Sequence, residues 1–78
     1  MKKLEVLNLL STVRDLDAAS IAERLHGTAE AAGMMLVRLM RQGLVRREID
    51  DRLFIYNLTP KGEARRVYLN TCERELTG

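Results

Sequence analysis

"TAEAAGMMLVRLMRQGLVRRE", residues 28–48, contains a change of repeat that decides the fold. At about 100° per residue, Ala32, Met35, Leu36 and Leu39 fall on one helical face, with Thr28 just beside it. The spacing predicts a helix over residues 29–42 with that face in the core and Met40 at its boundary. Thr28 stands where a hydroxyl caps a first turn, and Gly43 supplies the left-handed residue that ends a last one. Beyond Gly43 the repeat becomes that of a strand. "LVRREI" (44–49) and "RLFIYNL" (52–58) flank "DDR" (50–52), which predicts an antiparallel hairpin. Its second strand sends Phe54, Tyr56 and Leu58 to one face and Leu53, Ile55 and Asn57 to the other.

Upstream, Asp17 is a cap for a short helix over residues 18–25, with Ala18, Ile21, Ala22 and Leu25 inward. "HGT" (26–28) then reads as a tight turn in which Gly27 takes a positive φ. A first helix over residues 2–13 carries Leu4, Leu7, Leu10 and Val13 as its stripe and ends at "RDLD" (14–17). Downstream, "LTPKGEARR" (58–66) opens a last helix, with Thr59 as cap and Pro60 at its first position. Ala64, Val67, Tyr68, Thr71 and Cys72 form its expected inward stripe. The order is helix, helix–turn–helix, hairpin, helix. This is an α+β, mainly helical fold: a winged helix-turn-helix of three helices, β-hairpin wing and C-terminal helix, in one domain over residues 1–78.

The charge is uneven. Residues 38–66 carry eight basic side chains against four acidic, net +4, while the segments on either side are each net −1. A basic middle suits contact with phosphate. One cysteine excludes an internal disulfide and any multi-cysteine metal site. One histidine, no glycine-rich phosphate loop and no clustered carboxylates leave no catalytic constellation, so neither an enzyme nor a cofactor is expected. "MKKLEVLNLLSTV" (1–13), interrupted by Glu5 and Asn8, is an amphipathic helix rather than a secretory signal. No apolar run reaches the roughly 20 residues that span a bilayer, so a soluble cytoplasmic protein without membrane contact is expected. A core this small gains from oligomerisation. Val6, Leu9, Leu69 and Leu76, off the main stripes, are the expected dimer surface on the first and last helices.

The stretch over residues 16–62 resembles the helix-turn-helix and wing of MarR-like and ArsR-like bacterial and archaeal repressors. The matching pieces are "IAERL" (21–25), "LVRLMRQGLVRR" (36–47) and "YNLTPKGEA" (56–64), and the likeness runs on to residue 66. It implies a transcriptional regulator whose third helix enters the major groove, whose wing touches the backbone or minor groove, and whose terminal helices dimerise. Metal sensing, as in ArsR-like proteins, would need ligand clusters that the sequence lacks. The sequence departs from the pattern where His26 separates Leu25 from the turn glycine. It departs again in the acidic wing tip, Asp50 and Asp51, and on the outward face of the third helix.

That outward face holds Glu30, Met34, Val37 and Arg41, flanked by Ala31, Gly33 and Arg38. Arg38 and Arg41 suit bases or adjacent phosphates, and Thr28 with the helix-start amides suits a phosphate. Glu30 can accept from cytosine, while Met34 and Val37 can touch thymine methyls. Arg46, Arg47 and Arg52 either meet the DNA backbone through the wing or pair with Glu48, Asp50 and Asp51 across the hairpin. Two functions follow. One is a homodimeric regulator that binds duplex DNA, sequence-specifically or semi-specifically. The other is a protein–protein interaction module, since two exposed apolar side chains also suit a protein partner. His26 reads as a solvated turn residue, and Cys72 as a small core or dimer-interface residue rather than a redox sensor.

Overall fold

In the computed structural model, which describes residues 1–77 with side chains through Cys72, the chain forms four helices and one hairpin. They are α1 (Lys3–Thr12), α2 (Ala18–Arg24), α3 (Ala29–Arg41), β1 (Val45–Asp50), β2 (Leu53–Leu58) and α4 (Pro60–Thr77). Leu7, Ile21, Leu36, Leu39 and Leu44 are fully buried and join α1, α2, α3 and the start of the hairpin in one core. Val6 is also fully buried, which removes it from the expected dimer surface. It stands one turn before Leu10 and so shares the inward face. Leu9 and Leu69 pack partly against the core, and the side chain of Leu76 lies outside the described residues.

Helices α2 and α3 end in the same way. Leu44 N–H donates to the Leu39 carbonyl (2.9 Å) and Gly43 N–H to that of Met40 (2.9 Å), with Gly43 at φ 74°. At the end of α2, Gly27 N–H donates to Ala22 (2.8 Å) and His26 N–H to Glu23 (3.3 Å). The left-handed residue there is His26 (φ 56°), not the expected Gly27. Because the helix stops one residue earlier, its closing position falls on His26. At the other end of α2, the Asp17 carboxylate accepts from Ser20 N–H (3.0 Å), and the Ser20 hydroxyl together with this amide lowers its pKa from the ordinary value.

The α1–α2 connection lies along β2. Tyr56 N–H donates to the Leu16 carbonyl (2.8 Å). Beside it, Asp15 N–H donates to Asn57 Oδ1 (2.9 Å), and Asn57 Nδ2 donates to Asp15 Oδ1 (2.8 Å). Asn57, which shares its strand face with Leu53 and Ile55, is therefore buried. The reciprocal pair with Asp15 supplies its amide with both an acceptor and a donor inside the fold.

Helix α4 is anchored at its start. Thr59 Oγ1 accepts from Gly62 N–H (3.0 Å) and donates to the Gly43 carbonyl (2.6 Å), while Thr59 N–H donates to the Leu44 carbonyl (3.1 Å). These bonds fix the rotation of α4, so Gly62, Arg66, Leu69 and Asn70 face the body. Asn70 Nδ2 donates to Asn8 Oδ1 (3.0 Å), and Arg66 pairs with Glu63 (2.6 Å). The expected inward stripe is displaced as a result: Ala64, Val67, Tyr68 and Thr71 are exposed and Cys72 is half-buried. The Cys72 thiol beside the Tyr68 hydroxyl raises the pKa of that phenol.

Candidate nucleic-acid interface

The face of α3 opposite the core is open to solvent. Thr28 caps the helix by accepting from Ala31 N–H (3.0 Å), leaving its own hydroxyl proton free to donate. Beyond it Glu30, Gly33, Met34, Val37, Arg38 and Arg41 line a shallow trough of about 430 Å³. Met34 is 56 % exposed and Val37 39 %. A Cβ placed on Gly33 would meet nothing from the rest of the fold within 4 Å beyond its own stretch of helix, so the fold leaves room for a side chain at that point. Arg38 and Arg41 occupy the last turn, where the helix dipole favours cations, and neither makes an ion pair among the described residues. Thus α3 gathers Glu30, Met34, Val37, Arg38 and Arg41 on one surface, while Thr28 stands at the helix start outside that lining.

The hairpin arginines have separate environments. Asp50 pairs with Leu53, so the tip is only Asp51 and Arg52, both left-handed (φ 47° and 71°) as a two-residue primed turn requires. Arg46 shares a face with Glu48 and binds it at 3.0 Å along the same strand. The expected pairing across the hairpin is thereby corrected: residues two apart on one strand share a face, and the register sets Ile55 opposite Glu48. Arg46 also lines a groove with Arg14, Asn57 and Glu63, between α1, β2 and α4. Arg47 lies on the other face, its guanidinium 4.3 Å from the centre of the Phe54 ring. Arg52 makes no ion pair among the described residues.

The structure is similar to the YusO protein from Bacillus subtilis, with a TM-score of 0.90 and 24 % identity over 96 % of this chain and 55 % of that one. It is similar to a MarR family protein from Bacillus stearothermophilus (TM-score 0.82, 23 % identity, 95 % of this chain and 54 % of that one). A third similar structure is Staphylococcus aureus MepR in complex with DNA (TM-score 0.81, 22 % identity, 99 % of this chain and 67 % of that one). The chain has the MarR-like winged-helix fold. It spans little more than half the length of the first two structures. No family model and no curated protein sequence matches it.

Within the winged helix, α3 is the second helix of the helix–turn–helix and β1–β2 is the wing. Two features of this surface are not evident from sequence. The end of the wing is apolar: Ile49, Leu53 and Phe54 are exposed, Ile49 to 73 %, because the strands run on past the part that packs on the core. Their alternation gave a signal of strand but none of where packing stops. Arg14, read only as part of a helix break, lines the groove with Arg46. Among the described residues no cluster of His, Cys, Asp and Glu can hold a metal, and no helix is long and apolar enough to cross a membrane.

Proposed function

We propose that the chain is a transcriptional regulator that binds duplex DNA as a homodimer, sequence-specifically or semi-specifically, with α3 in the major groove. The observation that carries this reading is the pair Arg38 and Arg41. Both are exposed and without an ion-pair partner among the described residues, at the end of a helix whose whole outer face is open. The MepR complex with DNA supports the same partner for this fold. In this reading Thr28 and the first amides of α3 hold a phosphate, and Arg47 and Arg52 meet the backbone through the wing. Arg46 contributes less, because Glu48 already neutralises it. The role is non-enzymatic, cytoplasmic and needs no cofactor.

Neutralising several phosphates releases counterions, so affinity must fall steeply with salt. Titrating labelled random and genomic duplexes is expected to give binding at low salt with a log–log slope of roughly −3 to −5. A folded sample that binds no duplex at low salt overturns the reading.

Dimerisation rests on α4, with α1 beside it. Val67 and Tyr68 are large, exposed and adjacent on α4, and the core they border is small. Sedimentation at micromolar concentration is expected to give the mass of a dimer. A monomer at high concentration removes the dimer, and with it the expectation of a palindromic site.

A further inference from the structure

We infer that α3 selects duplex DNA by the 5-methyl groups of thymine, through Met34 and Val37 seated over a backbone left bare at Gly33. This deepens the DNA reading and rests on it. The centre of the exposed face has no group that can read hydrogen-bond donors and acceptors. Glu30 stands at one end of the trough, and Arg38 with Arg41 at the other. Between them are a thioether, a branched aliphatic and a glycine. In the major groove each base pair offers donors and acceptors, and thymine alone of the four bases adds a methyl. Met34 and Val37 buried against any other base edge would strip water from polar groups and return no hydrogen bond.

The length scale fits. Three residues of helix separate Met34 from Val37, about 4.5 Å along the axis. That is slightly more than one base step of about 3.4 Å, so the two side chains cover neighbouring positions on one strand. Charge orients the contact. The arginines draw one end of α3 towards phosphate or guanine, while Glu30 accepts from an amino group and is repelled by phosphate, which keeps the helix over the groove floor.

Gly33 is the independent observation. Glycine inside a helix is less stable than alanine, and here no packing requires it, since a Cβ would meet nothing from the rest of the fold within 4 Å beyond its own stretch of helix. A side chain missing where the fold has room for one leaves space for something from outside. This glycine lies on the flank of the trough, beside Met34 and Val37, on the face that would turn to the groove floor.

The test uses the full chain and a random-core duplex pool. Sites selected by the chain are rebuilt with deoxyuridine in place of thymidine, which deletes only the methyls. Each methyl lost is expected to weaken binding about fourfold. Met34→Ala and Val37→Ala should shrink the thymine-to-uracil ratio towards one, whereas Arg38→Ala should weaken both duplexes alike. Gly33→Ala should raise the melting midpoint yet lower affinity for the thymine duplex. Equal binding of thymine and uracil duplexes overturns the inference and leaves the DNA reading standing. Failure to bind any duplex at low salt, with the chain folded, overturns both and points to a protein partner for the trough.

Discussion

Gly62→Ala is expected to cost about 3 kcal/mol of stability and to lower the melting midpoint by roughly 10–20 °C. A Cβ at this position would overlap the carbonyl oxygen of Leu44 and lie 2.8 Å from its carbonyl carbon. The obstacle is backbone, so no rotamer change relieves it. Leu44 cannot retreat, because its N–H closes α3 on Leu39 and its carbonyl accepts from Thr59. Helix α4 cannot retreat without giving up the Thr59 bonds to the Gly43 and Leu44 carbonyls. A loss of this size is a large share of what so small a domain has. Thermal unfolding followed by circular dichroism measures it, with Gly33→Ala as control. That second glycine also sits in a helix, but with open space around it, and its replacement should stabilise. An unchanged midpoint for Gly62→Ala would mean that α4 does not meet the α3–β1 turn as closely as described.

The same contact explains what sequence reasoning reaches and what it does not. The core face of α3, its Thr28 cap and its Gly43 ending depend on residues within a few positions of one another, and all are legible. The rotation of α4 is not. An apolar stripe through Ala64, Val67 and Tyr68 looks inward by composition, but Thr59 and Gly62 lock the helix onto residues 43 and 44 and turn Arg66 and Asn70 to α1 instead. Asn57 illustrates the same limit, since its partner Asp15 lies 42 positions away. At the site, the outward direction of α3 follows from its core stripe, and so Met34, Val37, Arg38 and Arg41 can be placed from sequence. The three wing arginines cannot, because a register in which Asp50 faces Leu53 decides which of them meets Glu48, which meets Phe54 and which stays at the tip.

Arg38→Ala and Arg41→Ala are each expected to cost about 1–3 kcal/mol of DNA affinity, roughly a fivefold to 150-fold weakening. Both side chains are exposed and unpaired among the described residues, so neither change opens a cavity or strands a buried charge. Some tenths of a kcal/mol of helix stability go with the lost cations at the C-terminal turn, which circular dichroism can separate from the binding effect. Met34→Ala and Val37→Ala should cost less on the same duplex, because a methyl contact is weaker than a charged bidentate one. Salt dependence adds a second readout. An arginine that contacts phosphate takes about one unit of log–log slope with it, while one that reads guanine leaves the slope nearer its original value and relaxes sequence preference. A protein-binding helix gives the opposite order, since an apolar anchor at the centre of a trough outranks arginines on its rim. If both arginine variants keep full DNA affinity while Met34→Ala abolishes self-association or capture of a protein, α3 is a protein-docking face. The basic excess of residues 38–66 weighs against that outcome. Five of its eight basic side chains, Arg38, Arg41, Arg46, Arg47 and Arg52, lie on the end of α3 and on the wing, the elements that would flank the groove.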